Sequence, residues 1–153
     1  MIIYLVRHGQ DDDTYRGGWS NHALTSKGIQ QSENLAIELY NNKNKYNITK
    51  IYSSDLIRAQ QTAKILADKI DIPIHFMSEF REVNNGDLAG LKNEIANIKF
   101  PNLYWRKLEW DKHYPNGESP KEFYERIKSA WNKLIKSEKT IKAILFLLHT
   151  AKL

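Results

Sequence analysis

The chain contains no cysteine among its 153 residues and no long apolar run. Without cysteine, a protein has no disulfide, no thiolate nucleophile and no thiolate-bound metal, so covalent catalysis must use His, Ser, Thr, Lys or a carboxylate. The longest apolar run, around residues 143–148, is far too short to cross a membrane, and residues 1–6 lack the basic start and length of a signal peptide. We therefore expect a cytoplasmic protein that has no membrane partner.

Positive charge is in moderate excess, with 23 Lys and Arg against 18 Asp and Glu. All of this excess lies after residue 91, where the lysines are scattered among acidic residues without a basic block or an RNA-binding signature. We interpret these lysines as a solvated surface and expect no nucleic-acid partner.

Two continuous apolar runs, residues 1–6 and 143–148, are typical of strands covered on both faces of a parallel sheet. Residues 50–53 and 72–76 are shorter candidate strands. Helical patterns lie between them, so the chain alternates strands with helices. This alternation predicts an α/β fold, a three-layer sandwich with a mostly parallel central sheet flanked by helices.

Three helix starts are visible in the sequence. Thr25 or Ser26 can cap the first helix, and Ser54 or Asp55 can cap the second. The strongest start is Ser119-Pro120-Lys121-Glu122, a capping box with proline at the first helical position. It predicts a helix from about Pro120 to Lys136.

The segment at about 88–118 shows neither the helical nor the strand spacing of apolar residues. We therefore predict an irregular or part-helical, cap-like insertion within one domain of residues 1–153. Its aromatic residues are Phe100, Tyr104, Trp105 and Trp110. They either line a substrate pocket or form a small apolar cluster that holds the insertion together, and the second arrangement is the commoner one.

Basic residues follow three of the predicted strands. Arg7 and His8 end the first strand, Arg58 lies in the first turn of the helix after the second, and His149 follows residues 143–148. Parallel sheets bind ligands beyond the carboxyl ends of their strands, so we expect these side chains to converge. Two arginines and two histidines suit phosphate chemistry.

Arg7, His8 and Arg58 lie in two of five sequence blocks, which occur in order at residues 5–10, 18–31, 52–63, 80–90 and 115–119. The first is Leu5-Val6-Arg7-His8-Gly9-Gln10, and the last is Pro115-Asn116-Gly117-Glu118-Ser119. Together they resemble the histidine phosphatase superfamily, which is also called the phosphoglycerate mutase-like family.

The resemblance implies a mechanism. His8 would be the nucleophile that forms a phosphohistidine, Arg7 and Arg58 would hold the phosphate oxygens, and His149, if protonated, would add a third positive donor. Glu82 would be the general acid and then the base for water. The family chemistry needs no metal and no cofactor, and its ligand is a small phosphorylated substrate or inorganic phosphate.

Three functions remain open. The first is a phosphomonoester hydrolase, the second a phosphoglycerate mutase-type phosphoryl transfer enzyme, and the third a weakly active or inactive remnant that still binds phosphate.

Departures from the family pattern bear on this choice. Asp11 and Thr14 stand where the family usually has a small acid or hydroxyl residue and an Asn. We interpret Asp11-Asp12-Asp13 as a solvated loop and not as a metal site. The sequence also lacks the family's elements beyond His149, so we expect a truncated chain with impaired activity. Such a chain would expose an apolar edge along its first strand, which favours a homodimer, domain swapping or poor solubility.

Overall fold

The computed structural model describes residues 2–138 and 143–149. The strands are β1 Ile2–Arg7, β2 Lys50–Ser53, β3 Ile74–Phe76 and β4 Ala143–Leu148. The helices are α1 Ser26–Asn41, α2 Lys43–Tyr46, α3 Ile57–Ile70, α4 Asn93–Lys99 and α5 Pro120–Ser137. Short 3-10 helices cover Ser78–Phe80, Gly86–Leu88 and Trp105–Lys107. No helix in the described residues is long and apolar enough to cross a membrane. The four residues after His149, to which the truncation hypothesis refers, lie outside this description.

The four strands form one sheet in the order β1-β4-β2-β3. Every pairing is parallel, and β4 lies between β1 and β2. The predicted parallel sheet is therefore confirmed. The third strand starts two residues later than predicted, after Pro73, which has no N–H for a ladder hydrogen bond.

Helices cover both faces of the sheet. Leu145 and Leu147 of β4 pack against apolar residues of α1 and α3. Ile144 and Phe146 point to the other face and pack against Ala130 and other residues of α5. Because successive strand residues face opposite sides, the continuous apolar run of β4 is buried throughout the described side chains. The three-layer sandwich is confirmed.

Strand β1 differs from β4 although its sequence is equally apolar. Ile2 is 55% exposed and Leu5 is 60% exposed. The prediction that this run is covered on both faces is wrong, because β1 has a neighbour on only one side among the described strands. The exposed apolar surface expected along this strand is present.

Two helix starts follow the sequence prediction and one does not. Thr25 accepts a hydrogen bond from the backbone of α1, and the capping box of α5 is complete. Neither Ser54 nor Asp55 caps α3, whose N-cap is Leu56 without a side-chain hydrogen bond. Ser54 instead contacts His149, and Asp55 pairs with Arg81. The polar residues at this strand end thus hold other side chains rather than a helix.

Candidate active site

His8 and His149 lie side by side at the carboxyl ends of two neighbouring parallel strands. Their ring centroids are 5.0 Å apart. Glu82 Oε2 lies 2.8 Å from Arg58 Nη2 and 4.0 Å from His149 Nδ1. Arg7 lines the same pocket as His8 and Glu82. The structure therefore brings together all five side chains that the sequence singled out.

The imidazole of His8 is held so that one nitrogen is available for attack. Its Nδ1 is 2.7 Å from the carbonyl oxygen of Gly9, which can only accept, so Nδ1 carries the proton and Nε2 keeps its lone pair. Burial lowers the pKa of His8, and the positive charges of Arg58 and Arg7 lower it further, against the raising effect of the Gly9 hydrogen bond. The ring is neutral, which is the form that a nucleophile needs.

Gly9 allows the loop after β1 to pack directly on α1. A Cβ atom at this position would lie only 2.3 Å from the carbonyl oxygen of Gly28, so a larger residue would force the loop and the helix apart. The Gly9 N–H also donates to Thr62 Oγ1 of α3 at 3.1 Å. The loop that carries His8 is thereby fixed against two helices.

Arg58 is completely buried at the start of α3. Its Nη2 donates to the carbonyl oxygen of Gly18 and to Glu82 Oε2, both at 2.8 Å. Its Nη1 lies 3.3 Å from the carbonyl and hydroxyl oxygens of Ser20, and its Nε lies 3.4 Å from Asp11 Oδ2. Two carboxylates compensate this guanidinium, so phosphate oxygens that bind Arg58 compete with them.

Glu82 has the properties of a proton donor at moderate pH. Burial raises the pKa of this carboxyl group above its ordinary value, and the Arg58 guanidinium opposes the shift only in part. The backbone of Glu82 is fixed because its carbonyl oxygen accepts from Trp19 Nε1 at 2.7 Å and from Arg126 Nη2 at 3.2 Å. The carboxyl group is thus presented from a rigid loop.

Arg126 of α5 holds this loop, and the sequence alone did not reveal it. Its Nη1 donates to the carbonyl oxygens of Glu79 at 2.7 Å and Arg81 at 3.1 Å. Its Nη2 pairs with Glu118 Oε1 at 2.5 Å, and the same oxygen accepts from the backbone N–H of Asn84 at 2.8 Å. The sequence held one indication of this ion pair, since Glu118 belongs to the last sequence block and Arg126 follows it by eight residues, about two helical turns.

His149 is neutral in this arrangement. Burial lowers its pKa to about 2, and the positive charges of Arg58, His8 and Arg7 act in the same direction. The condition for a third positive donor, a protonated His149, is therefore not met before a phosphate arrives. The Ser54 hydroxyl lies 2.6 Å from Nε2, and Nδ1 is enclosed with no hydrogen-bond partner among the described residues. We assign the proton to Nδ1, which lies 4.0 Å from Glu82 Oε2.

The pKa shifts of His8 and Glu82 favour the protonation state that catalysis needs. The ordinary pKa values are 6.5 for the imidazole and 4.5 for the carboxyl group. With those values, neutral histidine beside protonated glutamate is present at only about 1 part in 100 of the opposite pair. Burial lowers the first pKa and raises the second, so both shifts increase the share of the reactive pair.

A cavity of about 560 Å³ opens in front of His8. Arg7, His8 and Glu82 line it at one end, and Tyr104 and Trp105 line it from the 88–118 segment. The segment contains α4 and irregular chain, as predicted. Tyr104 and Trp105 face the cavity, so the interpretation of the aromatic residues as a pocket lining holds for these two.

Apolar packing also holds this segment together. Val83, Leu88 and Tyr114 form a buried cluster that Phe100 and Trp105 pack against. The cluster links the segment to the loop that carries Glu82, so it supports the wall of the cavity.

The three consecutive aspartates line the cavity but differ in their surroundings. Asp12 and Asp13 are exposed, and Asp12 accepts hydrogen bonds from the backbone and hydroxyl of Thr14 at 3.0 Å and 2.6 Å. Asp11 is half-buried and pairs with Arg58. The solvated-loop prediction is therefore wrong for Asp11, because its carboxylate turns inward to a buried cation. In the described part of the chain, no group of three or more His, Asp or Glu side chains is arranged to hold a metal ion.

Comparisons with known proteins agree with this geometry. The family model of the histidine phosphatase superfamily, branch 1, matches residues 3–153. The Escherichia coli protein named "Probable phosphoglycerate mutase GpmB" is 35% identical over 137 residues, which cover 85% of this chain and 61% of that protein. The chain thus spans about three fifths of the length of the curated relatives that it matches.

Solved structures show the same fold. The alpha-ribazole phosphatase from Shigella flexneri superposes with a TM-score of 0.83 and 26% identity, over 97% of this chain and 74% of that one. The mycobacterial glucosyl-3-phosphoglycerate phosphatase, in its complex with inorganic phosphate, gives a TM-score of 0.76 and 25% identity, over 95% and 71% of the two chains.

Proposed function

Since the chain belongs to the histidine phosphatase superfamily, we propose that it hydrolyses the phosphomonoester of a small phosphorylated metabolite through a phosphohistidine at His8. One observation carries this proposal. Nε2 of a neutral His8 faces an open cavity beside Arg58, Glu82 and His149.

In the first step, the lone pair of His8 Nε2 attacks phosphorus. A P–N bond forms and the ester P–O bond breaks, with its electron pair moving to the leaving oxygen. That oxygen takes the proton of Glu82 and departs as an alcohol. Arg7, Arg58 and the Nδ1–H of His149 stabilise the charge on the remaining phosphoryl oxygens.

In the second step, the Glu82 carboxylate takes a proton from a water molecule. The water oxygen attacks phosphorus, the P–N bond breaks, and its electrons return to His8 Nε2. Inorganic phosphate leaves, and Glu82 is again protonated for the next cycle. The raised pKa of Glu82 suits both roles, because burial favours the protonated form that the first step needs and makes the carboxylate a stronger base for the second.

A second candidate is phosphoryl transfer of the mutase type. It is supported by the 35% identical relatives that are named as probable phosphoglycerate mutases. In this case the phosphohistidine passes its phosphoryl group to a hydroxyl of a second substrate instead of to water, and the same five side chains serve.

The test uses p-nitrophenyl phosphate in the presence of a chelator. We expect p-nitrophenolate release and, after rapid quenching in alkali, a protein-bound phosphate that is stable to base and released by acid. Isomer exchange between phosphoglycerates without net phosphate release would instead support the mutase. Binding of inorganic phosphate in titration calorimetry, with neither reaction, would contradict both and leave a binding protein.

The proposal further places this protein in the cytoplasm as a homodimer that pairs along β1. Exposed Ile2 and Leu5 on an edge strand support the dimer, because such edges associate readily. Gel filtration should show twice the monomer mass, and Leu5→Lys should shift elution to the monomer. A wild-type monomer would contradict the dimer, and cell fractionation tests the location.

A further inference from the structure

Arg16 lines the cavity on the wall formed with the 88–118 segment. Both backbone groups of Arg16 are hydrogen-bonded. Its N–H donates to the Leu91 carbonyl oxygen at 2.8 Å, and its carbonyl oxygen accepts from the Gly90 N–H at 2.9 Å. The position of this arginine is therefore set by main-chain bonds, independently of its side chain.

The guanidinium of Arg16 has a built surrounding. Its Nη2 donates to Asn97 Oδ1 at 2.6 Å, and the same oxygen accepts from the Tyr104 hydroxyl at 2.7 Å. The guanidinium carbon lies 4.5 Å from the centroid of the Tyr104 ring, which is within cation–π range. Two side chains thus orient the charged group without neutralising it.

The charge of Arg16 has no counterion among the described residues. Arg58, Arg81 and Arg126 each lie within 4.0 Å of a carboxylate, whereas Arg16 has no such pair. Its Nε is enclosed and makes no hydrogen bond in the described part of the chain. An enclosed donor without an acceptor costs free energy, and a half-buried cation without a counterion costs more free energy still. Both favour an anion beside Arg16.

This cation lies close to the proposed reaction centre. Gly17 follows Arg16 directly, and a Cβ at Gly17 would be 3.6 Å from Glu82 Oε2. The charges of Arg16 and Glu82 both act on Tyr114. Burial raises the pKa of Tyr114 to about 12, the positive charge of Arg16 opposes this shift, and the negative charge of Glu82 adds to it. A small molecule whose phosphate is at His8 can therefore extend along one wall to Arg16.

We propose that Arg16, oriented by Asn97 and Tyr104, is a second anion subsite, so that preferred substrates carry a carboxylate or a second phosphate besides the phosphomonoester. This inference rests on the proposed function for its account of the first anion. Asp12 and Asp13 line the same cavity, but they are exposed to solvent, so water and salt screen their repulsion more strongly than they screen the half-buried Arg16.

The experiment compares linear carboxyalkyl phosphates of one to four carbons with alkyl phosphates of the same length. For the length that reaches Arg16, we expect kcat/KM to favour the carboxylate, and we expect this preference to fall about tenfold in Arg16→Met. Arg16→Lys should restore part of the preference. Alkane bisphosphates of matched length show whether the subsite prefers carboxylate or phosphate.

The control is Lys107→Met. The Lys107 ammonium lies 6.0 Å from the centroid of the same Tyr104 ring that Arg16 contacts, but Lys107 does not line the cavity. This substitution should leave the preference unchanged. If Arg16 serves only to hold the segment, Arg16→Met will reduce both members of each substrate pair equally, and the subsite is refuted.

Failure of the proposed function gives a different result. If the wild-type protein turns over neither series, the dissociation constants of the same pairs are measured by titration calorimetry. Tighter binding of the carboxyalkyl phosphate that is lost in Arg16→Met then supports the subsite in a binding protein, while equal binding in both proteins overturns it.

Discussion

Replacing His8 with alanine is expected to lower kcat for p-nitrophenyl phosphate by at least about a thousandfold, because the proposed covalent intermediate forms on His8 Nε2. The chain has no cysteine, and the other imidazole of the site, His149, is enclosed and has its Nε2 engaged with Ser54. The alkali-stable phosphoenzyme should disappear together with turnover.

A fold effect can be separated from this chemical effect. His8→Asn keeps a side-chain amide that can donate to the Gly9 carbonyl, and it should be equally inactive while unfolding at a temperature close to that of the wild type. His113→Ala is the matched control, since His113 is exposed and its Nδ1 lies 3.1 Å from the exposed Glu122 carboxylate and 3.4 Å from the Gly117 carbonyl oxygen, away from the site. It should retain full activity. Turnover of His8→Ala within tenfold of the wild type would exclude His8 as the nucleophile.

The substitution Asp11→Ser is expected to raise kcat/KM for a dianionic phosphomonoester at neutral pH by about 30-fold. The carboxylate of Asp11 lies 3.4 Å from Arg58 Nε, where it competes with phosphate oxygens for a buried guanidinium. Two like charges about 4 Å apart in such surroundings repel by about 4 kcal/mol, and the partial exposure of Asp11 leaves about half of this. A serine hydroxyl removes the repulsion and can donate to the phosphate.

Inhibition by inorganic phosphate should strengthen in parallel, because the gain is in anion binding. Asp13→Ser is the control, since this carboxylate lines the same cavity but is exposed and makes no ion pair within the described residues. It should change kcat/KM by less than about threefold. Lower activity in Asp11→Ser would contradict the interpretation and show that Asp11 assists the reaction, for example by holding Arg58 in place.

The main layout of the site followed from local patterns. Continuous apolar runs identified the strands, and the rule that parallel strands end at one edge of a sheet predicted that His8, Arg58 and His149 lie together. The resemblance added Glu82. These inferences succeed because strand formation and the direction of a parallel sheet depend on residues that are adjacent in sequence.

Burial at the sheet edge was not decided by local sequence. Ile2 and Leu5 belong to a run as apolar as that of β4, yet they are exposed, whereas the described side chains of β4 are buried. Coverage depends on which strands and helices lie on either side, and this is a property of the assembled layers.

The electrostatic state of the site was also decided by the tertiary structure. The sequence showed an Asp near the Arg-His-Gly motif, but only the fold turned Asp11 toward Arg58 and left Arg16 without a carboxylate partner among the residues that the structure describes. Likewise, Arg126 holds carbonyl oxygens up to 47 residues away, a contact that no local pattern indicates. The sequence by itself therefore determined which reactive groups meet. The tertiary structure decided their charge and protonation, because these depend on burial and on partners that are distant along the chain.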